Sequence, residues 1–192
     1  MDFKKKLNVL DPETRKSMEK ILEDLARNIN YLYTIATIDE KTGIYNNKFF
    51  NKLAESEIEK AKRGMALSLL IIDLDNFKRI NDKYGHIIGD KMLEHFAKIL
   101  KKTVRKYDIY SRFGGEEFFV LFPGTSMTRA KKVADRIRKK IELDTLMKKR
   151  GLTISGGIAQ YKQKDNIKTL SKRADKALYK AKKQGKNRIE TE

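Results

Sequence analysis

The chain has 192 residues, 40% hydrophobic and 36% charged, enough for one domain of ordinary size with a buried core plus a modest extension. Its longest apolar run, "MALSLLII" (65–72), is far too short to span a bilayer, and the opening "MDFKKKLNVLDPE" lacks the apolar core and cleavage site of a signal peptide. Zero cysteines exclude disulfides and thiolate metal sites and fit a reducing cytoplasm, while a net charge of +18 points to an anionic partner without choosing among nucleic acid, a membrane face and a nucleotide.

In chain order, residues 11–37 read as one long helix. Asp11 can cap it, Pro12 suits the first helical turn, and Glu13 complements the amino-terminal dipole. Met18, Leu22, Leu25, Ile29, Leu32 and Ala36 recur at alternating spacings of four and three, the seam of a coiled coil. Such a stripe packs either on its own domain or on a second copy. After a loop at "DEKTGIYN", residues 47–63 read as a helix with Phe50, Leu53, Ala54 and Ile58 on one face, ended by Gly64. "LSLLIID" (67–73) has the continuous apolar character of a central strand covered on both faces.

A short helix at 76–83 and a longer one at 89–106 follow. "YDIYSRF" and "EFFVLFP" then read as two strands separated by Gly114 and Gly115, a β-hairpin. The remainder gives a helix (126–143), a strand in "LTISGGIAQ", a helix (166–183) and a short last strand near Ile189. This order implies an α/β sandwich: a mixed sheet of about five strands with helices packed on it, preceded by an N-terminal helix. The expected division is a lead segment at 1–37 and one globular domain at 38–192.

Three clusters are able to carry chemistry. In "IDLDNFKRIND", Asp73 and Asp75 stand where a buried strand meets a loop, the edge at which open α/β sheets bind ligands. Residues two apart on a strand face one way, so the pair can converge on a hard cation such as Mg²⁺, with Lys78 beyond to neutralise a phosphate. The bland alternative is an aspartate capping the next helix. In "SRFGGEEFFVLFPG", two glycines permit a tight turn and set Glu116 and Glu117 side by side at a strand's start. A cation converts their mutual repulsion into coordination; a hairpin turn with incidental surface acids is the alternative. In "KALYKAKKQGKNR", Lys182 and Lys186 bracket a helix end, where they either clamp a polyphosphate or sit in solvent.

Taken together and in order, these segments resemble the GGDEF-domain family of diguanylate cyclases. "RFGGEEF" resembles its signature in the GGEEF form, and "IDLDNFKRINDKYGHIIGDKML" its most distinctive segment. "TGIYNNKFF" is similar to its opening element, and "RADKALYKAKKQGKNR" to its closing one, so the likeness covers about residues 35–190. The resemblance implies a palm-like α/β fold that joins two GTP molecules into the bacterial second messenger cyclic di-GMP, releasing two pyrophosphates. It implies Mg²⁺ or Mn²⁺, two per site, held by Asp73, the backbone carbonyl of Leu74, and Glu116, with Glu117 in metal binding or 3′-hydroxyl activation. Lys78, the backbone at Asn76 and Phe77, Gly114, Gly115, Lys182 and Lys186 match substrate contacts, mostly to phosphate.

Asn81 and Asp90 match the positions that read guanine. A carboxylate accepts from guanine N1–H and the 2-amino group together, a pair of donors that adenine lacks. Each active centre of the family holds one GTP, so the resemblance also implies a homodimer, for which the helical seam is suited. Arg105 and Asp108 form an RxxD pattern six positions before the glutamate turn. With Arg136 they match the family's inhibitory cyclic di-GMP site.

The departures are Lys41, where the family prefers Leu, and Asn47–Lys48, where it prefers two arginines. They concern packing and salt bridges more than metal chemistry. The expected product is a cytoplasmic enzyme with no nucleic-acid partner and no membrane segment. The lead segment is too short for a sensor domain, so the chain reads as part of a larger regulator or as a stand-alone cyclase. The main alternative is a catalytically silent module that binds GTP or cyclic di-GMP.

Overall fold

The computed structural model describes residues 9–192; the stretch 1–8, part of the opening read above as lacking a leader, lies outside the described residues. The chain forms two units, Met1–Thr37 and Ile38–Glu192. In the first, helix α1 (Pro12–Thr37) starts as expected: the Asp11 carboxylate accepts from the backbone N–H groups of Glu13 (3.1 Å) and Thr14 (3.0 Å). Met18, Leu25, Ile29 and Leu32 along its seam are 39–59% exposed.

The second unit is a mixed sheet with helices on both faces. Its elements are β1 (Tyr45–Asn46), α2 (Asn47–Lys62), β2 (Leu67–Asp75), α3 (Phe77–Tyr84), α4 (His86–Thr103), β3 (Ile109–Gly114) and β4 (Glu117–Pro123). They continue with α5 (Met127–Leu143), α6 (Thr145–Lys149), β5 (Thr153–Gln160), α7 (Ile167–Lys183) and β6 (Ile189–Thr191). Strand order is β1-β3-β4-β2-β5-β6; β2 runs antiparallel to both neighbours, and the two edge strands pair in parallel.

Every residue of β2 is buried, which explains its unbroken apolar run. Leu70, Ile72 and Leu74 join Phe118, Val120 and Phe122 in a core under α4 and α5. Leu67, Leu69 and Ile71 join Phe119 and Leu121 in a second core, closed by Phe50, Ala54 and Ile58 of α2 and by Leu170, Ala174 and Leu178 of α7. Gly157 lets α7 lie directly against β5, since a β-carbon there would come within 2.1 Å of the Ala174 carbonyl oxygen. This close seating brings α7 over the odd-numbered face of β2, where Asp73 follows Ile71.

Several boundaries differ from the expectation. The sheet has six strands rather than five, because the two-residue β1 pairs with Ser111 and Arg112 of β3, too short a segment to show any alternation. Helix α4 begins at His86, with Gly85 (φ 79°) alone separating it from α3. Gly89, read as its start, lies inside it: a β-carbon there would stand 1.9 Å from Asn81 Oδ1, so the glycine admits α3 to close approach. The helix stops at Thr103, because the Asp108 carboxylate takes the Arg105 N–H (2.7 Å) into a turn. In the hairpin, Gly114 belongs to β3 and the turn is Gly115–Glu116, with Gly115 in the left-handed region (φ 52°).

Candidate active site

The end of β2 carries the acids. Asp73 is 7% exposed, and Lys182 of α7 donates to its Oδ2 at 2.7 Å. Burial pushes the Asp73 carboxyl above the ordinary carboxylate range, against the pull of the Lys182 hydrogen bond and charge; the like charges of Glu116 and Asp75 add to the rise. The register sets Glu117 directly across from Asp73, and Glu116 in the turn offers its carbonyl to Leu74 N–H (3.2 Å). Glu117 is raised as well, first by burial and then by the neighbouring Asp73 charge. Three acids thus crowd one strand end facing one lysine, an arrangement that favours a cation.

Asp75 plays a different part from the one expected of it. It is 1% exposed, and three donors occupy its oxygens: Thr153 Oγ1 and Ser155 Oγ, each at 2.7 Å, and the backbone N–H of Asn187 at 3.1 Å. It does not converge with Asp73 on a cation; it ties the strand to β5 and to the loop after α7. That loop holds Lys186 (φ 63°) and Asn187 (φ 47°), two consecutive residues in the left-handed region, a costly conformation that the Asp75 tie helps to maintain. Lys186 Nζ in turn donates to Asn76 Oδ1 at 2.6 Å. Asn76 is itself left-handed (φ 60°) and turns the chain from β2 into α3. Lys78 projects into solvent from the first turn of α3, whereas the Phe77 side chain is in the core.

Two residues of the site escaped the sequence reading. Arg112 grips the Gly115 carbonyl with two nitrogens (2.9 and 2.8 Å) and reaches Asp39 at 3.3 Å, fixing the glutamate turn. Only its place within "RFGGEEF" hinted at this. Lys41 donates to both oxygens of Asp90, each at 2.9 Å, so this departure from the family pattern makes a salt bridge to the start of α4. Asn81 stands over Gly89, next to Asp90 in α4.

On another part of the unit, Asp108 is buried beneath the turn that follows α4. Burial raises its pKa, opposed by the Arg105 backbone hydrogen bond and by the charges of Arg105 and Arg136. Arg136 donates to the Thr103 carbonyl (2.8 Å), so all three residues of the RxxD reading gather at the end of α4.

Residues 36–188 match the family described as "Diguanylate cyclase, GGDEF domain". The chain belongs to this family. Diguanylate cyclase A of Treponema denticola is 40% identical over 176 residues, covering 88% of this chain and 47% of that protein. The chain thus spans about half the length of this curated relative. The solved coiled coil and GGDEF domain of DgcB from Caulobacter crescentus, in complex with c-di-GMP, superposes with a TM-score of 0.84 at 26% identity. It covers 94% of this chain and 98% of that one. The active GGEEF domain of a diguanylate cyclase from Vibrio cholerae gives 0.72 at 32% identity, covering 76% and 96% respectively. The sandwich observed here is the GGDEF fold.

The family generally uses divalent metal ions. Among the described residues no cluster of three or more His, Cys, Asp or Glu is assembled to hold one. The donor set nevertheless fits Mg²⁺, which is commonly bound by one or two carboxylates plus substrate phosphates, and hard oxygen donors are what Asp73 and Glu116 supply. No helix among the described residues is long and apolar enough to cross a membrane.

Proposed function

We propose that residues 38–192, preceded by the lead segment 1–37 that carries α1, form a diguanylate cyclase domain converting two GTP into cyclic di-GMP and two pyrophosphates. The observation that carries this reading is the crowding of Asp73, Glu116 and Glu117 at one strand end under Lys182, with burial holding two of the three carboxyls above their ordinary range. Asp73, the Leu74 carbonyl and Glu116 would hold Mg²⁺ or Mn²⁺, two per site. Bound there, the ions supply Lewis-acid polarisation of the α-phosphate and ease ionisation of the attacking hydroxyl.

The chain's own groups do the rest. Lys78, Lys182, Lys186 and the backbone N–H groups at Asn76 and Phe77 bind phosphate charge. Gly114 and Gly115 let substrate approach the turn, and Asn81 and Asp90 read the guanine edge. Glu117 binds metal or accepts the proton of the 3′-hydroxyl, a task to which a raised carboxyl is suited. In each half-reaction the 3′-oxygen of one GTP bonds to the α-phosphorus of the other, and the bond to pyrophosphate breaks.

One site presents one GTP, so the reaction needs two copies facing each other. The exposed seam of α1 supports a homodimer, since a linked pair of helices raises the effective concentration of the two domains. A solved relative comprises a coiled coil and a GGDEF domain. Arg105, Asp108 and Arg136 form the inhibitory site for the product, and the protein acts in the cytoplasm.

The test is GTP turnover with Mg²⁺ against protein concentration, with the product identified. Cyclic di-GMP and pyrophosphate should form, with specific activity rising with concentration. A protein that binds GTP but releases no pyrophosphate would be the silent module. Arg105→Ala should relieve inhibition by added cyclic di-GMP while leaving initial turnover intact; unchanged inhibition would remove the RxxD site from the scheme.

A further inference from the structure

The base-reading acid is already taken. Lys41, in the loop before β1, reaches 49 residues along the chain to Asp90 in α4 and sits 2.9 Å from each carboxylate oxygen. An ammonium equidistant from both oxygens occupies the bisecting position that a guanine edge needs when N1–H and the 2-amino group donate to the same fork. The two cannot hold that position together. Both side chains are partly exposed, 44% for Lys41 and 41% for Asp90, so the contact is open to a solvent-borne competitor.

We propose that Lys41 is a built-in competitor for guanine: its ammonium closes the Asp90 fork in the nucleotide-free protein, and the base binds by exchange, displacing it. This rests on the reading of Asp90 as the guanine acceptor of a GTP site. Neighbouring features support the exchange. Gly89 leaves no β-carbon between Asn81 and the α4 backbone, so the second base-reading side chain packs on the residue before Asp90 through a contact that does not involve Lys41. Among the described residues Asp90 has no other side-chain hydrogen-bond donor or ion-pair partner. The lysine stem, anchored on a loop, can swing away without disturbing a helix.

The size of the effect is bounded. Exposed ion pairs are worth little, so displacing this one should weaken nucleotide binding by no more than about fivefold. A simple loss of positive charge near a triphosphate acts in the opposite direction, which makes the sign diagnostic.

The test is equilibrium binding to the full chain, with Mg²⁺, of a GTP analogue whose α- and β-phosphates are bridged by methylene, so that no turnover intervenes. Lys41→Met should tighten the dissociation constant about three- to fivefold with an unchanged circular dichroism spectrum. In an Asp90→Asn background, where no carboxylate holds the lysine, the same replacement should give no tightening. Unchanged or weaker binding by Lys41→Met would overturn the exchange, as would equal tightening in both backgrounds, which would mark Lys41 as a general structural influence. A wild-type protein that binds the analogue while failing either comparison leaves the GTP site standing without the competitor; one that binds no guanine nucleotide removes both.

Discussion

Asp73 and Asp75 lie two residues apart on the same strand and the same face, yet their partners differ in kind. Asp75 is saturated by three neutral donors, two hydroxyls and a backbone N–H, which occupy its oxygens. Asp73 has one lysine, near-complete burial and carboxylates on either side, and its carboxyl is held above the ordinary range. The first arrangement makes a joint. The second keeps a carboxylate where burial disfavours its charge, with a single lysine to offset it, the condition expected of a working site rather than a structural one.

Breaking the two halves of this comparison should give different signatures. The largest effect belongs to Asp73→Asn. GTP turnover should fall by at least about 100-fold, the scale on which loss of one preorganised electrostatic contact is felt. Its stability should move the other way. A carboxyl whose folded pKa is raised contributes stability at pH below its unfolded value and loses it as pH rises through the folded one. Asparagine mimics the protonated form, so the variant should melt above wild type at pH 7, with the gap narrowing toward pH 4. A lower melting temperature at pH 7 would mean that the Lys182 pair outweighs burial.

Asp75→Ala should instead unfold the joint. Leaving three donors without their acceptor should cost roughly 3 kcal/mol, lowering the melting temperature by roughly 6–12 °C for a domain of this size. Activity should drop only as far as the Lys186 loop loosens. The smallest effect sharpens the contrast. Thr153→Val removes one donor to Asp75 with little change of shape and should cost about 1–2 kcal/mol, read by urea unfolding, with turnover near wild type. A large loss of activity from Thr153→Val would erase the distinction between joint and site.

Much of this was legible in the chain. The apolar run of β2, the hairpin and the amphipathic helices follow from periodicity, and Asp73 stands out as an acid ending a buried strand. Asp75 was misread because its partners lie 78 to 112 positions away, at Thr153, Ser155 and Asn187. The two-residue β1 and five-residue α6 are too short to carry a period. Gly89 reads as a helix start by sequence, whereas it lies inside α4 and makes room for Asn81, a contact the chain order does not reveal.

By itself the sequence determined the types and order of the longer elements, the family, and the acids and lysines available for phosphate chemistry, because hydrophobic spacing and short motifs are local properties. Only the tertiary structure decided which of those charges meet. Pairing register set Glu117 beside Asp73, close packing at Gly157 brought α7 and Lys182 over them, and a loop 49 residues away laid Lys41 across Asp90. Charge partnerships of this kind depend on distances through space, and spacing along the chain does not encode those distances.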